Sequence, residues 1–207
     1  MCGRYTLASP DVDALKRGLP FDEFSDTRIE FRARYNIAPG QAAPVVYLEK
    51  GGPVLADAVW GFTRKASGIV VNARSEGAAT NKRFRDAFEK GRCLVPADGF
   101  YEWRREGSVN QPHLFECTEG GLLLMAGLWD DGRYVVLTRD PDTQVREIHD
   151  RMPVLLTREE AKSWLAGGEL GAGVPLRRRP VSVRVNRIDH DDAACIEPVQ
   201  QQAFEFD

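Results

Sequence analysis

The chain begins "MCGRYTL", so removing one residue would leave Cys2 with a free α-amine and a thiol on adjacent carbons. That pair is a reagent for aldehydes. A neutral amine adds to the carbonyl carbon and loses water to give an imine, and the thiol then closes on the same carbon. The ring contains N, Cα, Cβ, Sγ and the former aldehyde carbon, a thiazolidine, and no other residue type supplies both groups in that geometry. Only unprotonated amine reacts. A terminal amine with a pKa of about 7.7–8.0 is roughly a tenth neutral at pH 7, and a lysine at about 10.4 is neutral in well under one part in a thousand, so the terminus is the better nucleophile by about two orders of magnitude. Four other segments, each punctuated by Gly or Pro, set polar side chains beside Arg or Trp: "RYNIAPGQ" (34–41), "VNARSEG" (71–77), "PADGFYEWR" (96–104) and "IHDRMP" (148–153). Loops of this kind often build sites, and they offer Asn72, Glu102 and His149 as candidate catalytic side chains. Each also has a plain structural reading: Asn72 holding a turn, Glu102 solvated on a strand, His149 closing a helix C-terminus.

These groups must be held by something, and the composition says what. A chain of 207 residues with 43% hydrophobic and 29% charged residues can bury one sizeable core, so one domain over 1–207 is expected. The net charge is −3 and the pI about 5.7, so a nucleic acid would have to meet a local basic cleft rather than a globally basic surface. There is no basic leader followed by an apolar stretch, and the longest apolar run, "GLLLMAGLW", is too short to span a bilayer. A soluble, cytoplasmic protein without membrane contact is expected. The cysteines (Cys2, Cys93, Cys117, Cys195) and histidines (His113, His149, His190) fall in no close-spaced pair, so neither a metal nor a cofactor is expected. Cys93 and Cys117 read as small buried apolar residues. Segments 44–49, 56–62, 122–129 and 133–139 read as strands, and "DDG" between the last two reads as a hairpin turn. Segments 10–18, 82–90 and 157–166 read as helices, the last opened by a capping box of Thr157 and Glu160. The mixed periods without regular β-α-β alternation predict an α+β fold, a mostly antiparallel sheet curled toward a barrel with short flanking helices.

Taken in order, "CGRYTL", "YNIAPGQ", "WGF", "NARSE", "RCLVPADGFYEW", "AGLW" and "IHDRMP", with a weaker echo in "PVSVRVN" (180–186), make the chain resemble the SRAP domain family, the SOS-response-associated peptidases. The resemblance implies the SRAP fold and covalent capture of abasic sites in single-stranded DNA by the N-terminal cysteine, in the DNA damage response. It also implies self-removal of the residue ahead of that cysteine. By motif, Cys2 matches the nucleophile, Asn72 the residue that positions the new N-terminus, Glu102 the acid/base carboxylate and His149 the histidine beside it. Arg4, Pro39, Trp60, Arg74, Lys82, Trp103 and Arg151 match positions that hold or wedge the DNA strand. Two departures bear on the groove: Gly77 stands where the family often has Thr, and "FTRKASG" follows "WG" in place of the usual continuation.

The chemistry fits these assignments. Opening of the sugar and dehydration of the carbinolamine need an acid and a base, a role for Glu102, while His149 titrates near neutrality and suits protonation of the sugar O4′. Asn72 can hold the amine without raising its pKa as a carboxylate would. Trp60 and Trp103 would stack on bases, and Arg4, Arg74, Lys82 and Arg151 would meet phosphates. Two alternatives explain some of the same residues: a cysteine hydrolase pairing Cys2 with His149, and a non-catalytic single-strand nucleic-acid binding module. The basic run "LRRRP" at 176–180 reads as a solvated face. The expected partner is single-stranded DNA, met by a monomer.

Overall fold

The strands Ala42–Glu49, Gly52–Trp60, Arg92–Ala97, Leu123–Asp130 and Arg133–Arg139 bury long runs of β-branched and aromatic residues, and their pairing returns to its starting strand. In this computed structural model, which describes residues 2–63, 68–107 and 109–199, four of the contacts are antiparallel. The fifth, parallel, joins Val59 and Trp60 to Arg133 and Tyr134 and closes a barrel without an open edge there. The hairpin at "DDG" turns through Asp131 (φ 44°) and Gly132 (φ 73°), the pair of positive φ values that matches strand twist. Gly127 is required by close approach: a Cβ there would lie 2.8 Å from Cys93 Sγ and 2.9 Å from the Val135 carbonyl oxygen.

A second, antiparallel sheet runs in the order Arg34–Ile37, Tyr5–Leu7, Gly99–Glu106, Val109–Cys117, Leu176–Pro180. Side chains alternate across it. Phe100 and Phe115, stacked at 5.0 Å, join the barrel core, while Tyr101 and Leu114 pack on the other face with Val181, Val185 and Cys195. The fold is α+β, mostly antiparallel and curled, as expected.

Helices occupy the expected regions with shifted starts. Val12–Gly18 is capped by Asp11, which accepts from Ala14 N at 2.7 Å. Arg85–Lys90 begins later than expected because the Asn81 side chain accepts from Arg83 N at 2.9 Å and holds a turn ahead of it. Arg158–Leu165 carries the full capping box, with Thr157 N on Glu160 Oε2 (2.8 Å) and Glu160 N on Thr157 Oγ1 (3.2 Å). Short helices at Ser75–Ala78 and Thr143–Arg146 flank the site described below. No helix among the described residues is long and apolar enough to cross a membrane.

The basic run 176–180 is the edge strand Leu176–Pro180, and its charges are spoken for: Arg178 pairs with Glu147 at 2.6 Å and Arg179 with Glu116 at 3.0 Å. Beyond it the chain straps the opposite edge of the same sheet. Asp191 accepts from Tyr35 N (2.6 Å), Asn36 N (2.9 Å) and Arg34 Nε, so a carboxylate satisfies backbone donors that an edge strand would leave open. Asn36 Nδ2 reaches the carbonyls of Val185, Arg187 and His190. Replacing Asp191 with Ala leaves two N–H groups and a partly buried Arg34 without this acceptor, with an expected loss of about 3 kcal/mol. An unchanged urea midpoint would contradict it.

Candidate active site and strand groove

Cys2 is fully buried just ahead of the strand Tyr5–Leu7, and its carbonyl accepts from Asn72 Nδ2 at 2.8 Å. Asn72 starts the short strand Asn72–Arg74, which lies parallel on Arg133–Arg139 with Asn72 opposite Val136. Its Oδ1 is buried with no hydrogen-bond partner among the described residues. Glu102, 3% exposed, shares with Phe100 the inward face of its strand and sits in register with buried His113. Burial pushes the Glu102 carboxyl up to about 7, and the charge of Asp150 adds to the rise. Burial, followed by the charge of Glu102, also raises the Cys2 thiol, which stays protonated at neutral pH.

His149 stands at the rim, half-buried after Thr143–Arg146, with its backbone N–H on the Val145 carbonyl at 2.8 Å. Its Nδ1 accepts from Arg151 N at 3.0 Å and lies 3.0 Å from Asp150 Oδ1. The two contacts favour opposite protonation states of Nδ1. The backbone N–H suits a neutral ring protonated at Nε2 and the carboxylate suits a proton on Nδ1; burial lowers the His149 pKa despite the charge of Asp150. Cys2, Asn72 and Glu102 thus share one buried corner, and Asp150 ties its electrostatics to His149.

From Asn72 a cavity of about 1020 Å³ opens along Arg74, Lys82, Arg83, Phe84 and Arg151. Asn72 and Arg74 line it together because residues two apart on a strand share a face. Arg74, Lys82 and Arg83 are exposed, and no ion pair among the described residues engages them. Arg83 was missed by the sequence reading, although the adjacent cations in "NKRF" are a signal. Pro39 is exposed beside Gly40, whose N–H bonds the Trp60 carbonyl at 2.8 Å. Gly77 lines the same cavity, and a Cβ there would meet nothing within 4 Å. The departure at 62–68 falls largely on residues 64–67, outside the described residues, as does Met1.

Four of the expected strand contacts are engaged by the protein's own groups. Trp60 is fully buried, its Nε1 on the Val71 carbonyl at 2.9 Å and its ring stacked on Tyr134 at 6.1 Å, so it is core and no platform for a base. Trp103 follows Glu102 on a strand and therefore faces away from it, with Nε1 on Asn186 Oδ1 at 2.6 Å. Arg4 is an internal tie, bonding Asn36 Oδ1 (2.6 Å) and the Val185 carbonyl (2.9 Å). Arg151 is buried and spends its guanidinium on Glu76, Asp140 and the Thr138 carbonyl. Glu76 and His113 were also not anticipated; an isolated charge and a lone strand histidine carry no sequence signal of their own. No group of His, Cys, Asp or Glu among the described residues is arranged to hold a metal.

Solved structures share this fold. One from Bacteroides thetaiotaomicron matches with a TM-score of 0.77 at 20% identity, over 96% of this chain and all of the other. One from Bordetella bronchiseptica matches with a TM-score of 0.73 at 24% identity, over 87% of this chain and all of the other. Among sequences, the abasic site processing protein YedK of Escherichia coli is 30% identical, covering 96% of this chain and all of its own. The abasic site processing protein YoqW of Bacillus subtilis is 32% identical over 80% of each chain, and HMCES of Gallus gallus is 26% identical over 97% of this chain and 78% of its own. The family model for SOS response associated peptidases matches residues 1–187. That span contains the Cys2, Asn72, Glu102 and His149 cluster and the groove beside it, and the chain belongs to the SRAP family.

Proposed function

We propose that this protein captures abasic sites in single-stranded DNA as a covalent adduct of Cys2, formed once Met1 has been removed by self-cleavage or by an aminopeptidase. The ring-opened sugar supplies an aldehyde. The Cys2 amine attacks it, one water leaves to give the imine, and the thiol adds to the imine carbon while its proton passes to the nitrogen. The carrying observation is the buried corner in which Asn72 holds the Cys2 carbonyl at 2.8 Å beside a carboxyl whose pKa is about 7. A group poised there exists in both forms at neutral pH, so Glu102 can give a proton to the departing water and take one from the attacking amine. His149, when its Nδ1 accepts from Arg151 N and its proton sits on Nε2, would be the donor for the sugar O4′. The orphaned Oδ1 of Asn72 is an acceptor for the freed amine. Relatives named as abasic site processing proteins support the same reading.

The hydrolase alternative fits less well. It needs a Cys2 thiolate and an imidazole free to accept its proton, whereas burial and Glu102 keep the thiol protonated and a backbone N–H occupies His149 Nδ1. A purely non-catalytic module would have no use for the buried carboxyl.

The strand would follow Arg74, Lys82 and Arg83, one protein per lesion. Three phosphate contacts give a log–log salt dependence of binding with a slope of about −2, and Lys82→Ala or Arg83→Ala should each flatten it by about 0.7. Equal binding to blunt duplex would count against single-strand selectivity. The functional test is adduct formation on an abasic single strand by protein with a free Cys2 amine and by protein carrying an uncleaved tag ahead of it. Only the first should crosslink; equal yields from both would overturn the terminal-amine mechanism.

A further inference from the structure

A second, smaller cavity of about 250 Å³ adjoins the strand groove, and Arg83 lines both. The other walls of the smaller one are Phe62, Thr63, Asp130, Asp131 and Arg133. The Phe62 ring lies 6.3 Å from that of Phe84, which lines the groove, so an aromatic pair runs from one cavity to the other. Asp130 ends the strand Leu123–Asp130 in register with Arg133, and Asp131 turns the hairpin at φ 44°. Both aspartates are exposed, and no ion pair among the described residues engages them. Arg133 is fixed by a bond from Nη1 to the Gly61 carbonyl at 2.9 Å. Two arginines thus stand against two carboxylates and leave the pocket without net charge, whereas the groove beside it carries Arg74, Lys82 and Arg83.

We propose that this pocket takes the base of a nucleotide next to the abasic site and favours one with an exocyclic amino group, adenine or cytosine, over thymine. This deepens the proposed capture function and rests on it. A phosphate gains nothing in a pocket without net charge and is repelled by Asp130 and Asp131, so the backbone stays with the cations of the groove. At the joint, Arg83 holds a phosphate while the base of that nucleotide reaches past it. Ionised carboxylates only accept hydrogen bonds, so they select a group with N–H to give, as aspartate does when it accepts from the amine of cytosine. Thymine offers a carbonyl and a methyl where cytosine offers that amine. Phe62, 8% exposed, supplies an apolar surface for the ring.

The test measures noncovalent binding of the full chain to single strands that hold a tetrahydrofuran abasic analogue, which has no aldehyde, with A, C or T on each side of it. On one side of the analogue, wild type should bind strands with A or C about tenfold tighter than those with T. In the double variant Asp130→Ala with Asp131→Gly, glycine taking the positive φ freely, the three strands should bind within about twofold of one another. Arg83→Ala should weaken all three alike. Wild type without a preference on either side overturns the pocket, and so does a preference that survives in the double variant. A preference on the analogue without any adduct on a reactive abasic strand would count against the capture chemistry and leave the pocket standing; adducts without a preference would do the reverse.

Discussion

Cys2→Ala should lose the stable adduct completely and gain a transient one. The variant keeps an α-amine once Met1 is removed, so the imine with the abasic aldehyde still forms, but there is no thiol to close the ring. An open imine hydrolyses, and it also acidifies the sugar C2′ proton, which Glu102, in its proposed role as base, would remove. The expected result is no denaturation-resistant product, a borohydride-trapped species of the same size, and strand nicking at the lesion. Gels run with and without borohydride check it. If nothing is trapped on abasic single strands, the amine is not the first nucleophile, and the thiolate alternative regains its force despite the protonated state imposed on Cys2 by burial.

Glu102→Gln should move activity and stability in opposite directions. The folded carboxyl sits near pKa 7 against an ordinary value near 4.5, chiefly because it is buried. The folded state therefore holds the proton more tightly than the unfolded chain. Below pH 4.5 both states are protonated and the group costs nothing; as pH rises toward 7 the unfolded carboxyl ionises first and stability falls. At about 1.4 kcal/mol per pH unit the cost above pH 7 is on the order of 3 kcal/mol, and Gln removes it. Melting curves should show the variant more stable than wild type at pH 8 and indistinguishable at pH 4. Capture should fall because the acid and base are gone, by about two to four orders of magnitude. A variant equally stable at both pH values would mean that the carboxyl is not desolvated, and undiminished capture would remove Glu102 from the mechanism.

The contrast between these residues and those engaged by internal partners says what a sequence carries. Cys2 stands out in the sequence because the chemistry proposed for it is local: amine and thiol belong to one residue. The Thr157–Glu160 cap and the "DDG" turn were legible for the same reason. Trp103 follows Glu102 on one strand, and residues adjacent on a strand point to opposite faces. The internal partners of Trp60, Arg4 and Arg151 were not legible. An indole or guanidinium looks alike in sequence whether it meets DNA or the protein's own groups, and here the partners stand far along the chain: Val185 for Arg4, Glu76 for Arg151, Tyr134 for Trp60. The curl toward a barrel was legible, but not the strands that close it, because the parallel contact of Val59 and Trp60 with Arg133 and Tyr134 joins segments distant in the chain.

Intact-mass analysis followed by peptide mapping reads directly the proposed bond between a terminal Cys2 and the sugar carbon of an abasic site. After mixing with a single strand treated with uracil glycosylase, the protein should appear as one chain lacking Met1 joined to one strand, less one water. The added mass should map to Cys2 and be absent with the undamaged strand. An adduct that retains Met1, or one that maps to a lysine, would contradict the account.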